Sequence, residues 1–189
     1  PVTPFSTRQM DVAMPMFHLG FKCDPWERGT EATRRELTAE LAAEALFGES
    51  SELYLKLYEE GIIDSSFGGG FETIDGCAML MCSGDSENPE ALREAILTQA
   101  EKLIAEGIPQ EDFLRMKRSA LGRRIRELDS FDSTCFRTCA YHLSEFDYFR
   151  FPGLYAQLEA EEIRQLLAEI IHRDNCCLSV INPLDKEEL

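Results

Sequence analysis

The 189-residue chain holds three imidazoles, His18, His142 and His172, spaced too widely along the sequence to make a metal-binding pair. The nearest approach to a zinc signature is His142-Leu-Ser-Glu145-Phe146, which keeps the first four positions of the inverted H-x-x-E-H motif. On a helix, His142 and Phe146 would share one face, as a metal requires, but a phenyl ring has no electron pair to donate. Seven cysteines include Cys135 and Cys139, one helical turn apart, and the adjacent Cys176 and Cys177. Four thiolates could hold zinc, yet this spacing matches no zinc knuckle, and neighbours on a strand point to opposite faces. An odd number of cysteines without framework spacing reads as reduced, mostly buried thiols of an intracellular protein, with the cytoplasm as the expected compartment. Gly68-Gly69-Gly70 is the remaining unusual run. Phosphate-cradling glycines lead from a strand into a helix, and a P-loop ends in Lys-Ser or Lys-Thr. This run leads into another strand and has neither pair. It reads as a closely approached strand, whose exposed edge could accept a peptide by strand addition.

The elements that position these residues follow from periodicity. Met10 to Lys22 is apolar on both faces, which suits one strand covered on both sides, with Pro15 near an edge or a bulge. Thr30 is the expected N-cap of a helix to about Phe47, stopped by Gly48. A second helix runs from about Ser50 to Glu60 and ends at Gly61. Ile62–Thr73 and Cys77–Ser83 read as hairpin strands turning at Asp75-Gly76. Asn88 followed by Pro89 opens a helix to Gly107, and Pro109 opens the next, to about Leu128. A helix over Phe131–Phe146, an aromatic loop from Asp147 through Tyr155, a helix from about Ala160 to His172 and a strand over Cys176–Ile181 complete the chain, with a frayed acidic tail after Pro183. Hairpin strands with segregated helices predict an α+β fold, a mostly antiparallel sheet with helices packed against it, in one domain over 1–189.

Thirty-five acidic against nineteen basic residues give a formal charge of -16. Nucleic-acid partners need clustered basic side chains, and the basic stretch from Arg115 to Arg126 spreads its charges around a helix, so none is expected. No apolar run is long enough to span a membrane. The chain opens on Pro1, without an initiator Met, as expected of a fragment of a longer chain.

Four passages carry a family resemblance. Phe17-His-Leu-Gly-Phe-Lys22 resembles a first strand, Ser50 to Gly61 a helix with its closing charged pair and glycine, Gly107 to Lys117 a turn into a long helix, and Asp174 to Pro183 a closing strand. Together they resemble the C-terminal, non-catalytic half-domain of the insulinase or pitrilysin-type zinc metallopeptidases, with the fold of the mitochondrial-processing-peptidase type. The resemblance implies a clamshell whose N-terminal half, outside this sequence, supplies zinc, while this half has no cofactor and no catalytic residue and helps enclose a peptide substrate. The implied partners are its own N-terminal half or a homologous subunit. Many members contribute an Arg and, seven positions later, a Tyr to hold the scissile peptide; here Tyr58 and, allowing a one-residue deletion, Asp64 occupy those positions. The resemblance thus implies Tyr58, Asp64, Gly68, Gly69, Gly70 and Phe71 as substrate-binding residues. A scaffold domain of an inactive member, paired with an active subunit, is the alternative reading.

Overall fold

Alternation of buried and exposed residues along Met16–Cys23 sets the first rule of the architecture: Phe17, Leu19, Phe21 and Cys23 are buried, whereas Met16, His18 and Lys22 are exposed. A computed structural model describes residues 3–74 and 77–184. The elements in order are β1 (Phe5–Met10), β2 (Met16–Cys23), α1 (Thr30–Phe47), α2 (Glu52–Glu59), β3 (Gly68–Ile74), β4 (Cys77–Asp85), α3 (Pro89–Glu106), α4 (Gln110–Glu127), α5 (Phe131–Leu143), α6 (Phe151–Gln157), α7 (Ala160–Ile170) and β5 (Cys176–Pro183). The strands form a sheet of order β1-β5-β2-β4-β3, in which only β1 and β5 run parallel. The fold is therefore α+β with a mostly antiparallel sheet.

Helices cover one face of that sheet. Phe17, Leu19, Phe21, Ala78, Leu80, Cys82, Leu178 and Val180 from the strands join Leu37, Leu41, Ile96, Ile163 and Leu167 from α1, α3 and α7 in one core. Central α1 is rich in alanine, which lets the sheet and α7 approach it closely; Ala39, Ala42 and Ala43 are all buried. Arg34 on α1 grips Glu162 on α7 with two bonds of 2.8 Å.

Capping chemistry explains several boundaries. Asn88 accepts from the Ala91 N–H at 3.1 Å and opens α3, with Pro89 behind it. Gly61, at φ 68°, closes α2: the Ile62 N–H reaches the Leu57 carbonyl at 2.9 Å and the Gly61 N–H that of Tyr58 at 3.1 Å, the paired bonds of a Schellman motif.

Several expectations need correction. The stretch from Met10 to Lys22 is not one strand covered on both sides. The chain breaks before Pro15, β1 is a separate edge strand, and β2 is covered on one face only. Thr30 does not cap α1; Gly29, at φ 108°, holds that position with no side-chain cap. The first hairpin strand starts at Gly68, not Ile62, because a turn occupies the intervening residues. Within the expected aromatic loop, Phe151–Gln157 is helical, opened by Pro152 and buried through Phe151, Leu154 and Tyr155. The Asp75-Gly76 turn and the tail from Asp185 lie outside the described residues.

Candidate functional site

The predicted residues are spread over the end of α2, the turn that follows it and the start of β3, with the buried Phe67 ring immediately before β3. Tyr58 is exposed near the C-terminal end of α2 and stacks on Tyr54 with ring centroids 5.8 Å apart. Tyr54 in turn meets Phe67 at 6.0 Å, and Phe67 packs on Phe17 and Phe47. Asp64 lies in the turn between α2 and β3, where its carboxylate accepts the Ser66 N–H at 2.7 Å. The Ser66 hydroxyl, and after it this backbone bond, holds the Asp64 carboxyl below its ordinary range. The Ser66 hydroxyl accepts the Asp85 N–H at 2.9 Å, tying the turn to the end of β4. Gly84 must be glycine here: at φ 157°, a Cβ would lie 2.9 Å from the Phe67 Cα.

Alternation along β3 divides the four remaining candidates. Phe71 pairs with the buried Leu80 and stacks on Trp26 at 5.1 Å, with the Arg35 guanidinium 4.8 Å from the Trp26 ring centre. Gly69 lies on the same side, where an added Cβ would collide with the Phe47 ring and approach the Met81 carbonyl oxygen to 2.8 Å. Gly68 and Gly70 lie on the other side, where a Cβ would meet no heavy atom within 4 Å. β3 ends the strand order, so its outer edge is not paired to another described strand. Strand register continues this second face as two rows. One runs Gly70, Met81, Gly20, Cys177; the other runs Gly68, Ser83, His18, Ser179, Ser6. Sequence reading missed this face. The sequence predicts cover on both sides of the stretch that contains β2, and nothing local marks the side that lacks helices.

The histidines stay apart, with His18 on β2, His142 on α5 and His172 just beyond α7. Among the described residues no group of three or more His, Cys, Asp or Glu could hold a metal ion, and the three imidazoles do not fit a zinc site of the kind the catalytic half is expected to carry. The His142-to-Phe146 stretch is not one helix face: α5 stops at Leu143, Glu145 adopts φ 61°, and Phe146 turns into the core. The cysteines also depart from expectation. Cys23, Cys82 and Cys176 are buried, Cys77 and Cys177 half-buried, and Cys135 and Cys139 exposed, because α5 turns that side away from its neighbours.

Within the helical layer, Arg124 on α4 is 4% exposed and joins four helices. It donates to the Tyr155 hydroxyl at 3.1 Å, the Tyr141 hydroxyl at 3.2 Å and the Glu40 carboxylate at 2.5 Å. Burial alone would lower its affinity for the proton, but Glu40 and the tyrosine oxygens outweigh that and keep it charged. Burial also pushes the Tyr155 hydroxyl up to about 12. These are the partners a buried guanidinium requires.

The comparisons with known proteins agree with this architecture. Residues 3–120 match the family described as the peptidase M16 inactive domain, and the chain belongs to that family. It is 27% identical over 176 residues to the uncharacterized zinc protease YmfH of Bacillus subtilis (strain 168), covering 93% of this chain and 41% of that protein. An M16-like peptidase structure from Alicyclobacillus acidocaldarius superposes with a TM-score of 0.89 at 21% identity, over 96% of this chain and 44% of the other. The inactive peptidase domain of a Bordetella parapertussis protein assigned as a zinc protease gives 0.76 at 13% identity, covering 95% and 96% of the two chains. The chain therefore spans less than half the length of the Bacillus relative and of the Alicyclobacillus structure.

Proposed function

We propose that residues 1–189 form one domain, the substrate-enclosing, non-catalytic half of a cytoplasmic zinc metallopeptidase. A companion half, on the same polypeptide or on a homologous subunit, supplies the zinc and the polarised water. Neither nucleic acid nor a membrane is a partner in this reading; among the described residues no helix is long and apolar enough to cross a membrane. The observation that carries it is the outer edge of β3, which pairs with no other described strand, beside Gly68 and Gly70, which leave one side of it open. A substrate strand there would take main-chain hydrogen bonds from alternate residues of the Gly68, Gly69, Gly70, Phe71 run, the others being turned toward β4. Tyr58 and Asp64 would flank its end, with the exposed Tyr58 hydroxyl offering a hydrogen bond. A scaffold role in an inactive relative is favoured by one feature: the Asp64 carboxylate is already engaged with Ser66.

The test is the affinity of a labelled unstructured peptide for the chain assembled with its zinc-bearing half. Gly70→Val, which crowds the open side, is expected to weaken binding by roughly tenfold or more, equivalent to about 1.4 kcal/mol. Tyr58→Phe and Asp64→Ala should each weaken it less. Unchanged affinity across all three variants would eliminate the reading. The isolated chain should not hydrolyse a quenched peptide even with added zinc; turnover abolished by Glu145→Gln would overturn the non-catalytic assignment.

A further inference from the structure

The fold separates the seven thiols by accessibility. Burial pushes Cys23 up to about 11 and raises Cys82 and Cys176 as well. Those three are protonated and sealed in the core. Cys177 donates its thiol to the Thr3 carbonyl oxygen at 3.2 Å, and Cys77 is half-buried. Cys135 and Cys139 are both exposed and both free, on the outward side of α5.

Their spacing sets what they can do. Residues four apart on a helix stand one above the other, with Cβ atoms about 5–6 Å apart. A disulfide needs Cβ atoms about 3.5–4.5 Å apart, so the pair cannot close on itself without distorting the helix. A shared ion fits better. With sulfur–metal bonds of about 2.3 Å, two thiolates on one ion hold their sulfurs roughly 3.8–4.6 Å apart, from tetrahedral to linear geometry. Side chains at helical spacing reach that by rotation about χ1.

The platform is fixed at several points. Ser130 caps α5 by accepting the Ser133 N–H at 3.3 Å, Arg137 pairs with Glu127 of α4 at 2.7 Å, and buried Tyr141 anchors the C-terminal half. Phe136, 75% exposed, lies beside the thiols and adds an apolar flank. Asp132 and His142 fall on the same side one turn beyond each end, but among the described residues no third donor is gathered with the pair, so the site is built on two thiols.

We propose that Cys135 and Cys139 form a solvent-facing dithiol site for soft, thiophilic ions: divalent metals of the zinc group or trivalent arsenicals. A divalent ion displaces two thiol protons and forms two metal–sulfur bonds, with no change in oxidation state. An arsenoxide condenses with both thiols: two arsenic–sulfur bonds form, the oxygen leaves as water with the two thiol protons, and arsenic stays trivalent.

Intact-mass measurement of the reduced protein with phenylarsine oxide tests the site, and a cadmium titration followed by thiolate-to-metal ultraviolet absorption forms a second arm. The expected result is a single arsenical adduct, removed by excess ethanedithiol, and a cadmium signal. Both are lost in Cys135→Ser and in Cys139→Ser and kept in Cys77→Ser. These positions are exposed, so circular dichroism should be unchanged. Adducts that survive either serine substitution, or a protein that takes up neither probe, overturn the proposal.

Discussion

Gly69 and Gly70 are adjacent in sequence and identical in chemistry, yet their surroundings give them opposite tolerances. At Gly69 a methyl group meets the Phe47 ring and the Met81 carbonyl, whereas at Gly70 it meets nothing within 4 Å. Gly69→Ala is therefore expected to cost about 1–3 kcal/mol, as overpacking does, and Gly70→Ala to stay within about 0.5 kcal/mol. Urea denaturation of the two variants makes the comparison, and equal losses would mean that the inward side of β3 is not closed by Phe47. The triple-glycine run was legible as a strand that something approaches. Which of its glycines would face the helices, and the identity of the approaching group, twenty-two residues earlier on α1, were not.

At the scale of elements, two helices end in the same way with different residues. α2 closes on Gly61, whereas α5 closes on Glu145, where the Phe146 N–H reaches the Tyr141 carbonyl at 2.9 Å and the Glu145 N–H reaches that of His142 at 3.0 Å. The Phe146 ring packs on Tyr141 with centroids 5.9 Å apart, the apolar contact that accompanies this motif. A left-handed glutamate carries a steric penalty that glycine does not. Glu145→Gly should thus stabilise the protein by about 0.5–1 kcal/mol after glycine's larger unfolded-state entropy is deducted. Thermal melting would register a rise of about 1–4 °C; a fall would contradict the motif. The glycine that marks such a stop was present for α2 and absent for α5, which is why periodicity alone carried the second helix too far, to Phe146.

For the whole molecule, the buried polar cluster under α1 couples stability to pH. Burial raises the proton affinity of Glu36, and neighbouring Glu40 adds to it; Arg124, the Tyr141 hydroxyl and Arg137 oppose this without cancelling it. The native state therefore keeps this proton to higher pH than the unfolded chain does. Its contribution to stability is complete below the ordinary glutamate value of 4.5 and is lost as pH rises through the elevated native value. Glu36→Gln should leave stability nearly unchanged below that range and raise it relative to the parent near neutrality, measured as the difference between their urea midpoints at each pH. A constant difference across the range would show that Glu36 titrates normally.

The sequence by itself determined the elements whose signals are short-range: the Asn88-Pro89 helix start, the stops at Gly61 and Gly107, the apolar stripes, and the four passages that resemble the family. It also gave the α+β class, because hairpin strands and segregated helices are patterns of order along the chain. Tertiary structure alone decided which side of the sheet would be left without helices, that Cys135 and Cys139 face solvent, and that Asp64 is engaged with Ser66. It also decided that Arg124 would gather Glu40, Tyr141 and Tyr155 from three other helices. Hydrogen bonds within a turn or a cap depend on residues a few positions apart. Burial and charge pairing depend on surfaces that meet only after long loops have closed, and no local pattern encodes that encounter.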